Sequence, residues 1–310
     1  MILLKKRELK NLIFNKSNLI ILILILVIFI SMFISIKNEF FYNAINYIHN
    51  YLEYYVLKYL DGDASKLIVS RSPLLYIEGD YVNIFSSIYL YVVSFGTLIF
   101  KIFTYIFPIL VFYIINRTLH DEFHNNFAIS KIVRIGQKKY KNNMLFIYCI
   151  YTSLILIIPK ILYFIGLNIF FPFGVSSLHY INEASFIAQP YLYAEYIYNP
   201  IVMLVLDLIL SIAYCSILTF ISVNVIAFFK NKAISNLMFV FGLCLFSVLA
   251  IFIGQAPIVS YISLWSALEL SNNFSFEMNI FIPIIIAYLI CGVLFVITKI
   301  VLNRKIKDFV

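Results

Sequence analysis

The feature that most constrains this chain is a succession of apolar runs, each about as long as a bilayer is thick, separated by polar segments that carry most of its charge. A transmembrane helix needs roughly 20 predominantly apolar residues. The first run, Leu19 to Ile36, meets that length, and five more follow over 84–115, 144–170, 200–229, 233–254 and 280–302. Hydrophobic residues make up 63% of the chain and charged residues 12%, against roughly 45–50% and 25% in soluble domains; the mean hydropathy is +0.96. The expectation is an all-α integral membrane protein, a single transmembrane domain over residues 1–310 with six transmembrane helices.

Charge placement orients it. A net charge of +8 invites nucleic acid as a partner, but the bases form no continuous face and cluster between apolar runs, so no nucleic-acid partner is expected. Cytoplasmic loops collect Lys and Arg. Here the N-terminal segment, the 116–142 loop, Lys230-Asn231-Lys232 and the C-terminal tail hold most of them. The opposite loops hold only Lys37, Lys58, Lys66 and Arg71, against ten acidic residues between Glu39 and Glu277. Both termini are therefore expected in the cytoplasm. Residues 1–18 set Leu3, Leu4, Leu9, Leu12 and Ile13 against Lys5, Lys6, Arg7 and Lys10, the pattern of an amphipathic elbow helix lying on anionic membrane lipids. The run 19–36 exceeds the 7–15 residues of a signal-peptide core and no small-x-small site follows, so it reads as a retained span.

The 37–83 external loop is long and aromatic. Phe41, Ile45, Ile48, Leu52, Val56 and Tyr59 suggest an interfacial helix, broken at Asp61–Ser65 and near Pro73. In 255–279 the stretch PIVSYISLWSALEL suggests a short helix or re-entrant piece, and Pro159 is expected to interrupt the third span.

Few residues offer chemistry. No Gly is followed by Lys, so the G-x-x-x-x-G-K-[ST] phosphate cradle is absent from the sequence, and any ATP-driven activity needs a separate ATPase. Cys149, Cys215, Cys244 and Cys291 all lie in apolar runs with neither zinc-ligand nor disulfide spacing, and read as small buried hydrophobes. His120-Asp121-Glu122-Phe123-His124 places two histidines four apart with acids between, which echoes a metalloprotease helix. Asp in place of Glu after the first His, and no third ligand on the same side, favour a solvated span end and no metal. Lys101, Lys160 and Asp207 fall inside spans, where each costs about 2.5–3.5 kcal/mol at a helix centre on insertion scales. By residue count Lys160 and Asp207 lie at similar depth, which suggests a pair; snorkelling and a substrate or gating role remain open. Tyr163, Asn168, Asn224, Ser211 and Ser216 are candidates for hydrogen bonding between helices.

The longest polar segment between two apolar runs is 116–142, NRTLHDEFHNNFAISKIVRIGQKKYKN. An acid (Glu122), a short amphipathic stretch (Phe127 to Val133) and a basic exit (Arg134-Ile135-Gly136-Gln137-Lys138-Lys139-Tyr140) follow in order, and the tail ends on Arg304, Lys305, Lys307 and Asp308. On these patches and the span plan the chain resembles the membrane subunits of ABC exporters of the ABC-2 type, which include bacteriocin and antibiotic export or immunity permeases. The resemblance implies a multi-pass protein of a bacterial plasma membrane. Residues 116–142 would be a cytoplasmic coupling loop: Phe127, Ile129 and Ile132 would dock on a partner ATPase, with Glu122, Lys131 and Arg134 as polar contacts. It also implies a homo- or heterodimer with a second permease chain and movement of a peptide, antibiotic or lipid-like substrate. ATP and Mg would sit on the ATPase, with no cofactor in this chain and no catalysis by it. The 37–83 loop is longer than in that plan. The competing readings are a non-transporting membrane anchor, immunity or interaction protein, with 116–142 serving only topology, and an intramembrane metalloprotease.

Overall fold

The computed structural model describes residues 12, 15, 16, 18–36, 67–69, 74–77, 80–83, 87–94, 98–124, 127–170, 200–253 and 281–307. The elbow before Leu12, the expected helix within 41–59, the loops 171–199 and 255–279, and Asp308 lie outside these residues.

Apolar sequence that must satisfy its backbone without water folds as helix, and the expected spans do so. The helices are α1 (Asn18–Ile36), α2 (Ser87–Ser94), α3 (Leu98–His124), α4 (Phe127–Ile135), α5 (Gln137–Phe170), α6 (Pro200–Phe228), α7 (Lys232–Ile253) and α8 (Phe281–Lys307). Among the described residues five stretches are long and apolar enough to cross a membrane: Asn18–Ile36, Ile102–Phe123, Gln137–Phe170, Leu204–Phe228 and Ile285–Lys305. Helix α7, 22 residues long, covers the remaining expected run; its stretch Lys232–Leu245 is a shorter apolar helix.

Four expectations change. Of the four cysteines read as small buried hydrophobes, Cys215 is buried but Cys149 and Cys291 are half-buried and Cys244 is exposed. Residues 116–142 are helical wherever described except at Gly136: α3 continues to His124, α4 fills 127–135, and α5 starts at Gln137 instead of at residue 144. Helices that outlast the apolar run carry no apolar boundary to mark their ends. Pro159 does not interrupt its span, because α5 stays helical through it; Pro is tolerated in membrane helices, where neighbouring groups can satisfy the backbone it frees. Finally, part of the 37–83 loop is an antiparallel meander of β1 (Leu67–Val69), β2 (Leu74–Ile77) and β3 (Asp80–Asn83). Leu67 pairs with Ile77, and Ile77 pairs with Asp80.

Helix α6 is the centre of the bundle, packed against α3, α5, α7 and α8. Its buried small and hydroxyl residues Ser211, Ala213, Cys215, Thr219 and Ser222 let neighbours approach closely, the packing mode available where lipid is as apolar as the core. Helix α1 buries a stripe of Ile21, Ile25, Phe29, Met32 and Ile36 and exposes Ile20, Ile23, Val27, Ile30 and Ile34. Phe29 meets Phe103 of α3 edge-on at 5.4 Å and Tyr163 of α5 at 5.8 Å. Helix α8 exposes Ile285, Leu289, Val293, Val296 and Ile300 in the same way. Continuous exposed apolar faces of this extent are unstable in water and match hydrocarbon.

Candidate functional site

The arrangement is a polar seam running along α5 from a buried ion pair to a short helix at the basic end of the bundle. On α6, Asp207, Ser211, Cys215 and Thr219 recur every four residues, so they share one helical face, and several of them meet α5. Lys160 Nζ lies 2.8 Å from Asp207 Oδ1, with both side chains essentially inaccessible. Lys160 also donates to Ser211 Oγ at 2.8 Å, and Ser211 Oγ donates to its own helix at Asp207 O at 2.8 Å. From α2, the Tyr91 hydroxyl donates to the second carboxylate oxygen, Oδ2, at 2.7 Å. A buried pair holds only where both charges are paired and further hydrogen-bonded, and this one draws on three helices. Its chemistry is that of a latch: it ties α2, α5 and α6 together at one point and presents no hydrolytic or redox group.

Further along, the Thr152 and Thr219 hydroxyls lie 3.0 Å apart, and Thr118 of α3 lies 2.8 Å from the Tyr148 hydroxyl. Toward the other end, Ser87 of α2 donates to Asn168 of α5 at 2.8 Å. The expected interhelical bonds therefore form at Ser211 and Asn168, and at Asn224, which donates to Thr298 of α8 at 3.1 Å. Ser216 donates to Ile212 O on its own helix and also meets the Cys149 thiol of α5. Tyr163 is buried, with its hydroxyl toward Ser94 of α2 and its ring against Phe29. Lys101 lies in α3, with its side chain outside the described atoms.

At the basic end, α4 is strongly amphipathic. Ala128 and Ile132 are buried against α3 and α5, Ile129 is half-buried, and Ser130, Val133 and Arg134 face outward, Val133 being 80% exposed. Ile132, expected to dock outward, is only 9% exposed and belongs to the protein's own core. Phe127 starts α4, with its side chain outside the described atoms. Lys131 folds back to Glu122 of α3 at 2.8 Å, and Tyr140 of α5 donates to the same carboxylate oxygen at 2.9 Å. Glu122 thus ties three helices together. Gly136 joins α4 to α5 at φ +81°, and its amide bonds Ile132 O at 2.8 Å, a left-handed helix cap that favours glycine.

The histidine pair has a different use. His120 is 8% exposed, and its Nε2 lies 2.9 Å from Lys230 O. Asn116 donates to Asn236 at 2.6 Å, and Asp121 lies 3.6 Å from Lys232. The end of α3 therefore clamps the turn between α6 and α7. The His124 side chain lies outside the described atoms, and among the described residues no three of His, Cys, Asp and Glu gather as a metal-binding group.

Sequence reasoning missed Tyr91, Tyr140 and Val133. A helical wheel over 127–135 separates Ala128, Ile132 and Ile135 from Ser130, Val133 and Arg134, so Val133 had a signal. Tyr91 and Tyr140 had none, being single tyrosines in a chain that holds 24. No family model, curated protein or solved structure matches this chain.

Proposed function

We propose that this chain is the membrane-spanning permease subunit of an ATP-driven exporter of the ABC-2 type, coupling a separate ATPase to movement of a peptide, antibiotic or lipid-like substrate. In this reading six spans place both termini in the cytoplasm of a bacterial cell, and two permease chains enclose the path. The observation that carries it is the setting of α4: a short amphipathic helix pinned by Ile132 inside and by Glu122–Lys131 at its side, with Val133 and Arg134 directed outward. In this reading Val133 and Arg134, exposed side by side at the polar end of the bundle, are the contact offered to the partner. Because Glu122 also holds Tyr140 on α5, a push on α4 reaches α3 and α5 as a rigid-body shift. Helix α5 has 34 residues and spans about 51 Å at 1.5 Å per residue, so it connects α4 to the Lys160–Asp207 latch without a joint. The sequence has no phosphate cradle of its own, which is why the reading requires a partner to hydrolyse ATP.

A photo-crosslinking amino acid at position 133 tests the contact in growing cells. The expected result is capture of an ATPase at position 133 and none at the inward position 132. Capture at neither position, or equally at both, counts against α4 as the docking element.

A further inference from the structure

Beneath α4 lies a cavity of about 260 Å³ whose walls come from the segment before α1, from α3, α4 and α5. Its lining mixes charged and polar groups, Glu122, Lys131 and Asn143, with the apolar side chains of Leu12, Met144 and Ile147. Its level in the bundle is set by the chain itself: the first apolar span begins at Asn18, just after the wall residue Leu12, and the second ends at Phe123, next to Glu122. On the membrane reading the cavity therefore lies close to where the apolar spans end.

Both signs of charge line it, 2.8 Å apart, with Glu122 13% and Lys131 42% exposed. A simple anion drawn to Lys131 meets the Glu122 carboxylate, and a simple cation drawn to Glu122 meets the ammonium. A zwitterion satisfies both, and the apolar lining selects one that carries a tail. The volume is below the roughly 300–1,000 Å³ of sites for drug-sized ligands, which suits a compact headgroup and the first carbons of its chains rather than a whole lipid. We propose that this cavity binds the headgroup of a zwitterionic aminophospholipid of the adjacent leaflet. Its primary ammonium donates to Glu122, its phosphate accepts from Lys131, and its glycerol and first methylenes cover Leu12, Met144 and Ile147. Such a lipid would sit between α4 and the helices it rests on, so its presence would set how firmly α4 is held. That consequence rests on the permease reading, but the binding itself does not.

The test uses the full chain reconstituted into nanodiscs of phosphatidylglycerol and titrated with phosphatidylethanolamine or phosphatidylcholine, with bound lipid counted by native mass spectrometry. Phosphatidylethanolamine is expected to bind at least several-fold more tightly than phosphatidylcholine, whose quaternary nitrogen has no N–H to donate to Glu122. Glu122→Gln should bring the two lipids close together. Met144→Trp, which fills the cavity, should lose the bound lipid, and Ile147→Phe serves the same purpose if the tryptophan variant does not fold. Equal retention of all three lipids, or full retention by a folded cavity-filled variant, overturns the proposal. So does soluble phosphoethanolamine binding as tightly as the lipid, since the occupant would then be a water-soluble zwitterion. None of these readouts involves an ATPase, so failure here and failure of the permease reading are separable.

Discussion

At the scale of single residues, the Lys160–Asp207 pair is the arrangement whose energetics are most open to test. Removing one member of a buried pair leaves an uncompensated charge at a cost of about 3–5 kcal/mol, whereas replacing both by apolar residues of similar size is often neutral or better. Asp207→Ala is therefore expected to lower the thermal midpoint of the detergent-purified protein sharply, and Lys160→Met with Asp207→Leu to restore it. Equal losses in the single and double variants would mean that the pair is incidental to the packing. This pair was legible because few charged residues, among them Lys101, Lys160 and Asp207, interrupt the apolar runs, and counting residues from the span ends put two of them at one depth. Its completion by Tyr91 was not legible, because contact between α2 and α6 is a tertiary fact that a hydropathy pattern does not encode. Ser211 lies between these cases: four residues after Asp207 it shares that residue's helical face, but sequence alone does not say that Lys160 reaches both.

At the scale of elements, the apolar runs located α1, α6 and α8 to within a few residues, since a bilayer-spanning helix is defined by the property the sequence displays most plainly. The same reasoning failed where helices leave the hydrocarbon. The ends of α3 and α5 are polar, so the 116–142 segment read as a loop around one short helix although α3, α4 and α5 fill nearly all of it. The corner between α4 and α5 depends on Gly136 at φ +81°, with nothing within 4 Å of an added Cβ. The cost of Gly136→Ala is therefore backbone strain without a clash, about 1–2 kcal/mol. It should appear as faster proteolysis at this corner, with Gly136→Asn milder because Asn tolerates that conformation. The faces of α4 separate in the same way. Ile132→Asp puts a charge into the core and should destabilise the protein strongly, while Val133→Asp, on an exposed position, should change its stability by less than about 0.5 kcal/mol. Comparable destabilisation by both would show that the outward face of α4 is not free.

At the scale of the whole molecule, the bundle has a packed centre at α6 and two weakly buried flanks, α1 and α8, whose outward faces are aliphatic. Polar contacts through Asn168, Lys160, Thr152, Tyr148 and Tyr140 join α5 to α2, α6 and α3 along its length. On the proposed permease reading, these contacts would pass a displacement imposed at α4 to the rest of the bundle. The most direct test of that claim is co-purification of the tagged chain from its native membrane in mild detergent, beside a Val133→Asp/Arg134→Glu variant of matched stability. The account predicts that an ATPase carrying a phosphate-binding Gly-rich motif accompanies the unaltered chain and is lost from the variant. An equally stable variant that retains the ATPase in full, or an unaltered chain that brings no ATPase, would contradict it.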